Sequence, residues 1–458
     1  MPSQAHVSVN PATGEVALAV PYQTDAQVET LLARASAASI SWGGTRIAAR
    51  AAVLRSIAGR LREQRVELSR TISTEMGKPL AEAEAEIDKS AWNCEYVAAH
   101  ADEWLADQPV AIEGSVSFVA HRPLGVILAI LPWNFPVWQV FRCAVAALIA
   151  GNAVVLKHAP NVPQSAANVT ALLQSAGLPA DVFQNLVVPV ERVAAIIADD
   201  RIAVVTFTGS PAAGSAIASR AGAACKKSIL ELGGSDPFIV LADADIDAAV
   251  AAAVRARFTN CGQVCLAAKR FIVVDPVWEE FSTKFADAIR SLRVGDPLDS
   301  RTQMGPLARS DLRDQLDDQV QRSVREGARL LLGGHRLPGK GNYYAPTLLT
   351  DVEASMAVAQ EETFGPVAPL LRAASAENAV RLANASRYGL AAMVWTRDHA
   401  RARALAATLQ VGSVFINAVT ASDPRLPVGG IKLSGYGREL GSTGVRELVN
   451  LQSVYTKS

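Results

Sequence analysis

Over the first hundred residues, apolar positions recur at helical spacing. Ala, Arg, Glu and Leu dominate from Asp25 to about Asp107. This pattern predicts helices, and Gly77-Lys78-Pro79 breaks the run before one long helix reaching Trp104. Glu82, Glu84 and Glu86 fall near the start of that helix, where carboxylates suit the positive end of its dipole. From residue 126 the pattern changes. Apolar, β-branched runs at Val126 to Leu131, Ala153 to Lys157, Phe183 to Val188 and Ala203 to Phe207 alternate with predicted helices over 137–150, 163–176, 191–198 and 211–221. Such alternation implies an α/β fold with a parallel sheet covered on both faces. A second α/β stretch starts at Phe238 to Leu241, passes through Arg270 to Asp275 and ends at Ser413 to Ile416. Val110 to Glu113, a turn at Gly114 and Ser115 to His121 read as a β-hairpin, which cannot bury its apolar face by itself.

With 458 residues, half of them apolar, the chain has room for two or three domains and a large core. Lys+Arg and Asp+Glu balance at 44 each, which gives no reason to expect nucleic acid or a charged membrane as partner. The first residues lack a basic segment followed by an apolar one, and Pro132 and Gly151 cut the longest apolar stretches well short of a membrane span. A cytoplasmic protein is expected. The five cysteines are odd in number and show no metal-ligand clustering, which fits a reducing compartment and no metal.

Candidate chemistry centres on Cys265, in Asn260-Cys261-Gly262-Gln263-Val264-Cys265, and on Glu231, in Glu231-Leu232-Gly233-Gly234. An ionised thiol can form an acyl intermediate that a nearby carboxylate clears by deprotonating water. Alone, each residue has a plainer reading: a lone cysteine is most often a small buried hydrophobe, and the glutamate could end a strand before a turn. Other strings add weight. Pro132-Trp133-Asn134-Phe135-Pro136 puts Asn134 at a strand end, and Lys157 ends the next strand. In Thr208-Gly209-Ser210-Pro211, Ser210 suits an N-cap and Pro211 the first helical turn, so free backbone N–H groups face an anion there. No Gly-x-Gly-x-x-Gly follows a strand, and Gly209 to Gly214 lacks the Lys-Ser or Lys-Thr of an ATP-type phosphate loop.

Together with Glu361-Glu362-Thr363-Phe364-Gly365-Pro366 and Gly429-Gly430-Ile431-Lys432-Leu433-Ser434-Gly435, these strings span nearly the whole chain and resemble the aldehyde dehydrogenase superfamily. Within it, Lys157-His-Ala-Pro-Asn161, Leu232-Gly-Gly-Ser-Asp-Pro237 and Ser422-Asp-Pro-Arg-Leu-Pro427 are most like the shorter bacterial succinate-semialdehyde dehydrogenases. The resemblance implies a Rossmann-type cofactor domain over 1–107 and 122–234 and an α/β catalytic domain over 235–436. It also implies a β oligomerisation arm over 108–121 and 437–458, making a homodimer or homotetramer. By the same resemblance Cys265 is the nucleophile, Glu231 the hydrolytic base and Asn134, with the Cys265 backbone N–H, the oxyanion donor. NAD or NADP would meet Trp133, Lys157, Gly209, Ser210, Glu362 and Phe364.

The resemblance further places Arg142 and Ser422 on the distal carboxylate of a small-molecule aldehyde, with Trp138 beside it. Arg142 paired with a local acid is the plainer alternative. Departures from the family bear on specificity. Pro160 stands where strict NAD users carry glutamate, so use of both cofactors is expected. Val264 and Val428 replace a common serine and phenylalanine. Two other function classes remain: the same chemistry on an aromatic or aliphatic aldehyde, with Trp138 and Phe141 as pocket walls, and a non-catalytic protein on this fold. Gln263 and Asn260 are expected to shape the nucleophile loop, and a Cys261 to Cys265 disulfide is conceivable if that loop bends.

Overall fold

Strand Val126–Leu131 is buried at every position, as a strand packed on both faces must be. Val126, Leu128 and Ile130 enter one apolar cluster, whereas Ile127, Ala129 and Leu131 enter another on the opposite face. The computed structural model describes residues 5–457; residues 1–4 and 458, counted in the expected domains, lie outside the described residues. Five parallel strands run in the order Lys227–Leu232, Ile202–Gly209, Val126–Leu131, Ala153–His158 and Phe183–Asn185. Helices Trp138–Ala150, Pro163–Ser175 and Pro211–Ala223 connect them close to their predicted bounds.

This strand order places a topological switch point between Val126–Leu131 and Ile202–Gly209, whose chains continue to opposite sides of the sheet. The crevice beyond their carboxyl ends is therefore flanked by the Trp133-Asn134 turn and by Gly209-Ser210. Gly435–Tyr436 adds an antiparallel edge, pairing with Glu231 and Leu230, so the last part of the expected catalytic domain is stitched to the first sheet.

The second sheet has seven strands, with Asp236–Val240 between Ala268–Val274 and Ala391–Trp395, and carries its own apolar core. A third sheet sets Val449–Lys457 along Ser115–Pro123, with Gln108–Val110 on the other side. Val116, Leu451 and Tyr455 are exposed on it. Within 437–458, the segment expected as part of an arm, Val445 and Leu448 pack into the first core and the strand begins at Val449. The N-terminal hairpin of Ala5–Val9 and Val16–Pro21 was not foreseen. Among the described residues no helix is long and apolar enough to cross a membrane.

Candidate active site

Cys265 sits where two cavities meet. One, of about 560 Å³, opens at the switch point and brings Trp133, Asn134, Gly209, Ser210, Glu231, Glu362 and Phe364 together around the thiol. The other, of about 310 Å³, is walled by Trp138, Arg142, Val264, Ser422 and Lys89. A nucleophile at the junction of two openings can receive a cofactor from one side and an aldehyde from the other.

The first cavity fits a dinucleotide. Its helix start is capped by the Ser210 hydroxyl, which accepts from Ala213 N–H at 3.4 Å, leaving earlier N–H groups for an anion. Trp133 and Phe364 meet edge to face at 5.9 Å between ring centres, forming an aromatic wall. Lys157 is buried at the end of its strand, where its ammonium donates to the His158 carbonyl at 3.2 Å; it is not part of the cavity lining. Pro160 beyond it is exposed.

The nucleophile loop is braced at several points. Asn260, Cys261 and Gly262 all have positive φ, at 53°, 54° and 73°, and a Cβ on Gly262 would come within 2.3 Å of the Gly365 carbonyl. Arg257, wholly buried, donates to the carbonyls of Gly262, Thr363, Gly365 and Ala268, tying this loop to the segment that carries Glu362. Gln263 accepts from Ala308 N–H and donates to the Asn260 carbonyl. Asn134 donates one amide N–H to the Gln263 carbonyl at 2.9 Å, leaving its second for an oxyanion. Cys261 and Cys265 are both free thiols, and Cys261 is packed in the second core, where burial pushes its thiol far up. That position gives the conceived disulfide no support.

Burial also raises the Cys265 thiol, opposed by Arg142 and Lys269, so the resting nucleophile is protonated. Burial lifts the Glu231 carboxyl to about 8, with Arg142 opposing and Glu439 reinforcing the shift. Its Oε1 has no hydrogen-bond partner. A carboxyl poised near operating pH, with one oxygen unbonded beside the thiol, suits a base that must meet water.

In the second cavity Arg142 pairs with Glu439 and donates to the Thr208 hydroxyl at 3.3 Å. Its charge is therefore balanced within the protein, the plainer of the two sequence readings, although the side chain still reaches the cavity. Ser422 and Trp138 are in direct contact: the indole N–H donates to the Ser422 hydroxyl at 3.1 Å.

Glu82 and Glu86 do more than serve their own helix dipole. Glu86 pairs with buried Lys78 and accepts from the backbone N–H groups of Val137 and Trp138, at 2.8 and 2.9 Å, at the start of the next helix. Glu82 accepts from Asn260 N–H at 2.7 Å. Glu84 alone faces outward, to Arg65. The sequence reading also missed Lys89, Lys269 and Arg257, because single basic residues inside a helix or strand carry no local signal of their partners.

Known proteins of similar sequence and fold point to one family. The sequence profile described as the aldehyde dehydrogenase family matches residues 2–454. A succinate semialdehyde dehydrogenase [NAD(P)+] of Escherichia coli is 47% identical over 454 residues, covering 99% of this chain and 98% of that protein. A probable succinate-semialdehyde dehydrogenase [NADP(+)] of Synechocystis is 46% identical, covering 98% and 99%. The crystal structure of a Streptococcus pyogenes succinic semialdehyde dehydrogenase with NADP+ superposes with a TM-score of 0.97 at 36% identity, covering 99% of this chain and 100% of that one. With a family match along almost its whole length, the same fold, and a buried thiol beside a cofactor-sized crevice, this chain belongs to the aldehyde dehydrogenase family.

Proposed function

We propose that the protein oxidises succinate semialdehyde to succinate using NAD or NADP. The observation that carries this is Cys265 at the meeting point of the two cavities, with Glu231 beside it and basic groups at the far wall of the second. Relatives named for this activity at 46–47% identity support the substrate. The exposed Pro160 leaves room for a 2′-phosphate, which supports use of both cofactors.

Gly209, Ser210, Trp133, Glu362 and Phe364 would hold the dinucleotide, and Lys157 the adenosine end. Cys265 gives its proton to solvent and its sulfur attacks the aldehyde carbon, forming a C–S bond as the carbonyl π pair moves onto oxygen. The second amide N–H of Asn134 and the backbone N–H of Cys265 stabilise the resulting oxyanion. A nicotinamide held there would supply the hydride acceptor that lets this thiohemiacetal collapse to a thioester. Glu231 takes a proton from water, the water oxygen attacks the thioester carbon, the C–S bond breaks, and the thiolate recovers that proton from Glu231. Arg142 and Ser422 would donate to the distal carboxylate.

The three-stranded sheet, with exposed Val116, Leu451 and Tyr455, would pair copies of the chain as a homodimer or homotetramer. Steady-state rates on succinate semialdehyde, benzaldehyde and hexanal with each cofactor test the assignment. A preference for either uncharged aldehyde would replace the substrate and leave the chemistry intact.

A further inference from the structure

Three basic side chains reach the second cavity, and they are not equivalent. Arg142 is neutralised by Glu439. Arg255 is exposed on the outer wall. Lys89, half-buried, has no carboxylate within ion-pairing distance among the described residues, and its nearby acid Asp423 is already held by Arg425 at 2.9 and 2.7 Å. The hydrogen bond recorded for the Lys89 ammonium runs to the Ser422 hydroxyl at 2.8 Å, and the ammonium lies 4.5 Å from the centre of the Trp138 ring.

Ser422 sharpens the picture. Its oxygen accepts from both Lys89 and the Trp138 indole, which uses its two lone pairs and leaves its own O–H to donate. No acceptor for that hydrogen is found among the described residues. An ammonium with spare N–H bonds and a hydroxyl that must donate thus converge on one end of the cavity, and among the described residues neither has a carboxylate in hydrogen-bond reach. We propose that Lys89 is the charge that recognises the distal carboxylate of the substrate, with the Ser422 O–H beside it and Arg142 as a fixed neutralised donor. This rests on the succinate-semialdehyde reading above and adds a residue to it. Burial, together with repulsion from Arg142, pushes the Lys89 ammonium down to about 8, against Asp423 and Glu86, so it remains charged at neutral pH while poorly solvated.

The test compares succinate semialdehyde with butanal, its uncharged counterpart, in the full-length enzyme. Wild type should prefer the charged aldehyde; absence of that preference overturns the substrate assignment itself and is read before any variant. Lys89→Met should lower kcat/KM for succinate semialdehyde by about 30-fold or more, mainly through KM, while butanal loses far less. Arg255→Gln should leave the preference in place. Lys89→Arg, which keeps the charge, should retain the preference to within about tenfold. Equal losses on both aldehydes in Lys89→Met, the same loss in Arg255→Gln, or a collapse in Lys89→Arg as deep as in Lys89→Met would each overturn the role of Lys89. A melting curve for each variant separates misfolding from lost recognition.

Discussion

Lys269 links the nucleophile to the cofactor crevice: its Nζ lies 2.7 Å from the Glu362 carboxylate and 2.7 Å from the Cys265 carbonyl oxygen. Its side chain is wholly buried, so removing the charge would leave Glu362 without its counter-ion and the nucleophile loop without a tether. Lys269→Met should therefore lower kcat/KM by about 2 kcal/mol or more, with the cofactor KM rising. Unchanged kinetics would make the pair a bystander.

Cys265→Ala should abolish oxidation and leave cofactor binding, measured by fluorescence titration, intact. Cys261 cannot take over, because it is packed in the second core. Residual turnover approaching wild type, lost only when Cys261 is also replaced, would move the nucleophile.

Glu231→Gln should give a burst of reduced cofactor followed by slow turnover, since hydride transfer precedes the damaged hydrolysis. In the wild type, kcat should rise with pH through about 8 as Glu231 ionises, and the variant should lose that limb. Stability moves the other way. The folded-state value lies above the ordinary 4.5, so the protonated group favours folding, and that contribution declines as pH rises from 4.5 to about 8. The melting temperature of Glu231→Gln relative to wild type should climb over that window; parallel curves would refute the buried assignment.

Arg142→Ala should destabilise the fold by about 3–5 kcal/mol, because it strands a buried Glu439. Activity on charged and neutral aldehydes would then both fall, the charged one further because it also loses the Arg142 donor. The double variant Arg142→Met with Glu439→Gln should regain much of the stability in a denaturant titration. Failure to do so would mean that the pair contributes more than charge balance.

Pro160→Glu should weaken NADP more than NAD, because it introduces a carboxylate where the 2′-phosphate would lie. Equal effects would misplace the adenosine end of the site and Lys157 with it.

The strand and helix alternation from 126 to 223 was legible because its central strands are buried on both faces and read as apolar runs, whereas the edge strand Phe183–Asn185, with half-buried Gln184 and Asn185, is shorter than the Phe183 to Val188 expected. Asn134, Glu231 and Cys265 were legible because each follows such a run or sits in a distinctive turn. Arg142 was singled out as a carboxylate-binding candidate and lines the second cavity, but its partner was not visible, since Glu439 lies far along the chain. Lys89 was missed for the same reason: it sits mid-helix, and Ser422, which gives it meaning, arrives only in the last loop. The edge strand Gly435–Tyr436 is two residues long, too short for any periodicity to announce it.

The helix Leu80–Leu105 touches three separate pieces of the site from one side: Glu82 holds the nucleophile loop, Glu86 the turn after Asn134, and Lys89 the last loop. Three segments measured from a common ruler share its errors. A small tilt or slide of that helix carries all three in the same direction and leaves the distances among them nearly unchanged. Random displacements of the individual loops would instead add up at the reacting carbon.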